Sequence, residues 1–261
     1  MRSVLEQLET QTVQARQVLI VDNGGTLSES DLTAMPLADR TVLISRPDNP
    51  GYGAAVNEAR GRLRGDSLLV LTHDAVFSSQ LAEHLLNALK GTEGCAAPLL
   101  KIASDRTRVF SAGGHLTRGG RAFHLSEPRS TSPYSVNWVD GAIAMYTAEA
   151  LERIGWIAEE YFLYFEDVDT GWRLAQQNLA CLVVPSEVAY QDQGAHPIYL
   201  GMRNMALFAR KAGISPMRSS GAAAYRLIRE GFGRVKRGKP ANFSEAFRGW
   251  RDGRRGIDGK P

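Results

Sequence analysis

Short apolar runs alternate along the chain with segments whose apolar residues recur every three to four positions, the pattern of strands interleaved with helices. Residues 17–22 (QVLIVD), 41–45 (TVLIS) and 67–72 (SLLVLT) are continuous apolar runs; the first is closed by Asn23-Gly24-Gly25 and the third by His73-Asp74. Residues 3–13, 53–64, 81–90, 169–177 and 197–212 carry helical spacing, and Pro197 suits a helix start. Continuous apolar strands separated by helices predict a mostly parallel sheet covered on both faces. After residue 110 the rhythm loosens into a Gly-rich section (111–120), a polar loop (126–135) and an apolar stretch (136–146), with no internal repeat. In parallel sheets ligands sit beyond the carboxyl ends of the strands. Asp22 and Asp74 both stand at such ends, so distant parts of the chain point at one crevice.

Composition narrows the class. No apolar run approaches the roughly 20 residues of a membrane-spanning helix, and the N-terminus lacks a signal-peptide pattern. Cys95 and Cys181 form neither a disulfide framework nor a metal-ligand spacing, which favours a reducing, cytoplasmic compartment. The formal net charge of +3 conceals an asymmetry: residues 215–261 hold twelve Lys/Arg and four Asp/Glu, a net of +8, leaving −5 for residues 1–214. The chain therefore divides into a mildly acidic body, 1–214, and a basic tail, 215–261. In the tail, Tyr225, Leu227, Ile228, Phe232 and Val235 are interleaved with Arg226, Arg229, Arg234, Lys236 and Arg237. A basic amphipathic helix of this kind suits an anionic membrane surface; a solvated or docked C-terminal helix is the plainer alternative. No recognition motif accompanies the charge, so nucleic acid is not an expected partner.

The candidate chemistry lies in residues 161–173, YFLYFEDVDTGWR, where an aromatic run ends in Glu166, Asp167 and Asp169 and opens a helix. Unpaired carboxylates are too costly for a buried strand, so the aromatics read as a wall delivering acids to a pocket. Carboxylates also favour a helix start through capping and the helix dipole, and both readings stand on spacing alone.

Six segments in order carry a family resemblance: VDNGG (21–25), NPGYGAAVNEA (49–59), LLVLTHDAV (68–76), WVDGAIAMY (138–146), YFLYFEDVDTGWRL (161–174) and YLGMRN (199–204). Over roughly residues 1–212 the chain resembles family 2 glycosyltransferases of the bacterial rhamnosyltransferase-like branch, which have the Rossmann-like GT-A fold. The resemblance implies inverting transfer of a sugar from a dTDP- or UDP-sugar donor to a glycan or polyprenyl-linked acceptor, in cell-surface polysaccharide synthesis at the inner membrane face. It makes Asp167 the catalytic base and Glu166 the neighbour that orients the acceptor or raises the pKa of Asp167. It places Asp22 at the nucleotide base, Gly51, Gly53 and Asn57 at a glycine-rich turn and helix start near the diphosphate, Gly141 and Ala142 beside the donor sugar, and Arg203 and Asn204 near the diphosphate or acceptor. Asp74 becomes the ligand of a Mg²⁺ or Mn²⁺ ion, with donor phosphate oxygens completing the set. Plainer readings exist for several: turn glycines for Gly51 and Gly53, a cap for Asp74, and an ion-pair or capping role for Arg203. VDNGGT also evokes phosphatases of the haloacid dehalogenase family, but Gly24 stands where their second aspartate is needed.

Three departures bear on activity. Family members begin with a central strand that precedes the first helix, and this chain begins at that helix. A sheet without that strand leaves backbone groups unpaired, which implies either a start upstream of Met1 or a degenerate module that binds a membrane or partner without catalysis. The metal motif keeps only its final acid, with His73 beside it. Where the family often has a metal-side histidine, the chain has Gln191, with His196 five residues on.

Overall fold

The structure is a computed structural model that describes all residues except 193, 195, 196, 237 and 239–241. Its helices are α1 (Arg2–Glu9), α2 (Glu29–Leu32), α3 (Tyr52–Asn57), α4 (Leu81–Ala88), α5 (Ala148–Ile154), α6 (Glu166–Gln176), α7 (Ile198–Lys211), α8 (Pro216–Val235) and α9 (Phe243–Arg255). Its strands are β1 (Val18–Asp22), β2 (Thr41–Ser45), β3 (Ser67–Leu71), β4 (Gly94–Ile102), β5 (Asp105–Ser111), β6 (Gly114–Leu116), β7 (Ala122–His124), β8 (Tyr134–Ser135), β9 (Ile143–Thr147) and β10 (Ala180–Gln191). The three apolar runs are β1, β2 and β3. The helix expected over 53–64 is shorter: after Asn57 the backbone tightens into i→i+3 turns as far as Arg62, around Gly61 at φ +73°.

The sheet is mixed where a mostly parallel one was expected. β1 and β2 pair in parallel as a separate two-stranded sheet, while β3-β9-β4-β10-β8 form the main sheet, with β5 added to β4. β3 and β4 share a direction because each runs antiparallel to β9, and β10 runs parallel to β4. The reason is the excursion through β5–β8, which brings the chain back to the same end of the sheet at which β3 and β4 finish, so that β9 enters between them running against both. β1 and β3 are not hydrogen-bonded to each other among the described residues, and every residue of β3 keeps some exposure. The Met1 ammonium donates to the His73 carbonyl, just past the end of β3.

Strand alternation sorts the core into two layers. Ile143 and Met145 of β9 and Ala96 and Leu100 of β4 face α1 and α4 through Val4, Leu5, Leu8, Leu81 and Leu85. Ala144 and Tyr146, with Cys95 and Ala97, face α5 and α6 through Leu151, Ile154 and Leu174. Cys95 and Cys181 are register partners on β4 and β10 and are free thiols. A third cluster joins Tyr161 and Phe165 to Met202, Met205 and Phe208 of α7, Ala223 of α8 and Ala246 of α9. Helix α9 approaches α7 through small residues: a Cβ on Gly253 would fall 2.1 Å from the Arg203 carbonyl oxygen. No helix among the described residues is long and apolar enough to cross a membrane.

Candidate active site

The acids are presented by a strained loop. Phe162, Tyr164 and Phe165 all have positive φ (63°, 70° and 77°), a conformation that costs a non-glycine residue roughly 1–2 kcal/mol and persists only where its surroundings impose it. Here they do. The Asn204 side-chain amide donates to the carbonyls of Tyr161, Leu163 and Tyr164 at 3.0, 2.8 and 2.8 Å. Arg203 donates to the Tyr161 carbonyl at 2.9 Å and to the Gly259 carbonyl at 2.7 Å, and its Nε to Asn204 Oδ1 at 2.9 Å. Both residues are fully buried. They lie behind the loop, in the core, and the fold does not bring them to the open side where the resemblance placed them. Their observable work is to hold the loop, and α6 starts at Glu166 as a result.

The three acids then part ways. Asp169 is fully buried and structural, accepting from Tyr161 Oη at 3.1 Å and Arg173 Nε at 2.5 Å and pairing with Lys211 Nζ at 3.1 Å. Glu166 is buried with its Oε2 lacking any hydrogen-bond partner among the described residues, so burial first, and the neighbouring Asp167 charge second, push its pKa well up. Asp167 stays partly exposed. Burial, reinforced by the charge of Asp140, raises it to about 7, against backbone N–H bonds that lower it. A narrow cleft, too tight to hold a water molecule, runs between these acids, Tyr52, Gly141, Tyr146 and Thr170.

Asp140 was passed over in the sequence although it stands inside the quoted WVDGAIAMY segment. Its Oδ1 accepts from the Ala142 N–H at 2.9 Å and its Oδ2 lies 3.8 Å from His124 Nε2, a ring whose pKa burial lowers. The available signal was an acid set between buried Trp138-Val139 and a glycine. Tyr52 was missed for the same reason: its hydroxyl donates to the Gly141 carbonyl, but the sequence shows only a tyrosine between two glycines.

The remaining candidates are drawn together around α3. Gly51, at φ +104°, allows the Tyr52 N–H to reach the Phe162 carbonyl at 2.7 Å; a Cβ there would fall 2.4 Å from that oxygen. At Gly53 a Cβ would fall 2.4 Å from the Ala158 carbonyl oxygen. Asn57 is saturated by Ile157 and Glu159: its Nδ2 donates to both (2.8 and 2.7 Å) and its Oδ1 accepts from the Ile157 N–H. These three residues clamp α3 to the segment that leads into the aromatic loop. Asp22 accepts from the N–H groups of Gly24, Thr26 and Leu27 at 2.9, 2.6 and 2.7 Å, which hold its pKa down, Leu27 most. Its turn joins α3 through Asn23, which donates to the Gly51 carbonyl at 3.3 Å.

Asp74 is exposed at the end of β3 with His73, and Gln191 bridges Thr72 Oγ1 (3.0 Å) and Asp74 Oδ1 (3.3 Å). The Thr72 N–H donates to the Ala142 carbonyl, tying this end of β3 to the Asp140 loop. Among the described residues no group of three or more His, Cys, Asp or Glu is placed to hold a metal ion. Asp74 offers an accessible carboxylate, a hard oxygen donor suited to Mg²⁺ or Mn²⁺ only where another molecule supplies further oxygens. His196 lies outside the described residues.

Comparison with known proteins agrees with this architecture. Residues 1–155 match the family model described as glycosyl transferase family 2. A curated relative, N-acetylglucosaminyl-diphospho-decaprenol L-rhamnosyltransferase of Mycobacterium tuberculosis, is 26% identical over 210 residues, covering 70% of this chain and 68% of the relative. Among solved structures, GalNAc-T7 with UDP, GalNAc and Mn²⁺ superposes with a TM-score of 0.60 at 12% identity, over 75% of this chain and 41% of the other. A mannosyltransferase from Pyrobaculum calidifontis in complex with GDP-Man and Mn²⁺ gives 0.52 at 16%, over 94% and 68%. TarS of S. aureus gives 0.56 at 14%, over 88% and 40%. At such identities the likeness is one of fold, the GT-A fold read from the motifs.

Proposed function

The chain belongs to glycosyl transferase family 2, and on that premise we propose that it transfers a sugar with inversion from a nucleotide-diphosphate sugar, dTDP- or UDP-linked, to a glycan or polyprenyl-linked acceptor. The rhamnosyltransferase relative, named for a decaprenol-linked acceptor, supports this reading. The observation that carries it is Asp167: a partly exposed carboxyl beside Asp140, Gly141 and Tyr52, with its pKa raised to about 7.

A base titrating near neutrality is matched to its task. Asp167 accepts the proton of the acceptor hydroxyl as that oxygen bonds to the anomeric carbon. The bond from that carbon to the donor diphosphate breaks on the opposite face, the diphosphate leaves with the electron pair, and the configuration inverts. Glu166, kept neutral by burial, adds no second charge to compete with the ionised Asp167. Asp74 is the residue that would hold Mg²⁺ or Mn²⁺ together with donor phosphates, and such an ion, when bound, neutralises charge on the leaving group. Gly51, Gly53, Asn57 and the Asp22 turn shape the donor side, and Gly141 borders the sugar. Arg203 and Asn204 act as positioning residues through the loop. Residues 1–214 form the transferase body and 215–261 the basic tail, and the reaction belongs to cell-surface polysaccharide synthesis at the cytoplasmic face of the membrane.

The test is transfer or donor hydrolysis with dTDP- and UDP-sugars and Mg²⁺ or Mn²⁺, comparing the native chain with Asp167→Asn. Turnover that the substitution abolishes supports the reading. Absence of turnover with every donor favours a non-catalytic module.

A further inference from the structure

Helix α8 turns the wrong face outward for a helix packed on a soluble body. Ser219, Ala223 and Gly231 are buried against the rest of the protein. Met217, Tyr225, Ile228, Phe232 and Val235 are 83, 54, 56, 74 and 62% exposed. Their spacing, in steps of three, four and eight, lines them along one side of the helix. The stripe continues onto α9. A Cβ on Gly231 would fall 2.6 Å from the Phe243 ring, so Phe243 packs on α8 at Gly231, next in sequence to Phe232, and Phe243 and Phe247 are themselves 52 and 56% exposed. A contiguous exposed apolar patch marks an interaction surface.

The surroundings of the stripe are cationic. Arg218, Arg229 and Arg248 are exposed on the same two helices, and Lys236 just past the end of α8. At one end of α8, Thr117, Arg118, Gly119 and Arg121 of the β6–β7 turn meet Arg218, Ala222 and Tyr225 around an open pocket of about 420 Å³. The Arg121 guanidinium lies 4.6 Å from the Phe123 ring and 4.9 Å from the Tyr225 ring, so three arginines border the start of the stripe. Of the nearby acids, Glu230 is engaged by Arg226 at 2.6 Å and Asp252 by Arg251 at 3.0 Å, leaving Glu245 exposed.

We propose that this face, the outward stripe of α8 with Phe243 and Phe247 of α9 and the rim of Arg118, Arg121, Arg218 and Arg229, docks on an anionic phospholipid bilayer. An interfacial helix needs apolar side chains to enter the acyl boundary and basic side chains at the headgroup level. Both are present here: the apolar stripe and Arg218 and Arg229 lie on the segment carrying the +8 charge, and Arg118 and Arg121 adjoin it at Tyr225. The lipid phosphates fit the arginine pocket. Docking is separable from the transfer reaction, so vesicle binding and turnover succeed or fail independently.

The full chain is tested by flotation with phosphatidylcholine vesicles, with and without phosphatidylglycerol. Binding to the anionic vesicles alone, weakened by salt, is expected. The double variant Ile228→Ser/Phe232→Ser changes only exposed side chains and should abolish flotation while leaving the circular dichroism spectrum and melting temperature unchanged. Arg118→Ser/Arg218→Ser should weaken binding by roughly thirty-fold, at about 1 kcal/mol per basic residue. No flotation on anionic vesicles, or flotation unaffected by the serine pair, overturns the proposal. So does flotation fully competed by soluble glycerol phosphate, which indicates a free-phosphate site. Concentration-dependent dimerisation lost in the serine pair, without vesicle binding, also overturns it and makes the stripe a self-association face.

Discussion

The Asn204 side chain donates to the Tyr164 carbonyl at 2.8 Å from within the core, fixing the backbone two residues before the helix that carries Glu166 and Asp167. A buried amide on α7 thus sets where the candidate base stands.

Asn204→Ala removes three donated bonds to that loop and takes this donor from the Leu163 and Tyr164 carbonyls, while the Tyr161 carbonyl keeps Arg203. Stability should fall by about 2–4 kcal/mol, with a loss of turnover in the fraction that remains folded. Urea denaturation and rates measured well below the unfolding midpoint check this; unchanged turnover would show that the loop holds itself.

Asp167→Asn should lower turnover by roughly a hundred- to ten-thousand-fold while stabilising the protein at neutral and alkaline pH. In the fold the carboxyl remains protonated up to about pH 7, whereas in the unfolded chain it ionises near 3.9. The unfolded state therefore binds fewer protons between those values, and native stability falls as pH rises from about 4 to 7. Asparagine removes that loss, so melting temperatures should coincide near pH 4, diverge as pH rises to about 7 and stay apart above it.

Asp140→Asn keeps an oxygen for the Ala142 N–H but deletes the charge that helps hold Asp167 up. The acid limb of the pH–rate profile should move to lower pH, with the fold intact by circular dichroism. A limb that stays in place would mean that burial alone sets Asp167.

Gly51→Ala places a methyl 2.4 Å from the Phe162 carbonyl oxygen at a φ of +104°, a combination expected to cost about 2–4 kcal/mol. Because Gly51 joins α3 to the aromatic loop, kcat should fall as well, which chemical denaturation and steady-state kinetics resolve together.

Asp74→Asn should raise the Mg²⁺ or Mn²⁺ concentration needed for half-maximal rate by roughly ten-fold or more. Titration of each metal at saturating donor reads this directly, and an unchanged metal dependence would remove Asp74 from the metal site.

Much of this protein is written locally. The apolar runs of β1, β2 and β3 and the spacing of α4 and α7 are periodic features of consecutive residues, so they are legible without the fold. The acidic first turn of α6 was legible too. The direction of β9 was not, because it depends on the excursion through β5–β8, which no window of sequence reveals. The roles of Arg203 and Asn204 were equally hidden: their partners lie some forty residues away, and motif order alone cannot tell a side chain facing a ligand from one facing the back of a loop.

The sequence by itself determined the family, the GT-A fold, the pairing of Glu166 with Asp167 and the basic character of the tail, since each rests on residue types at short spacing. Only the tertiary structure decided which acid stays accessible, which neighbour perturbs it and which face of α8 meets solvent. Those depend on burial and on long-range hydrogen bonds such as that from Asn204 to Tyr164, and burial is a property of the packed chain.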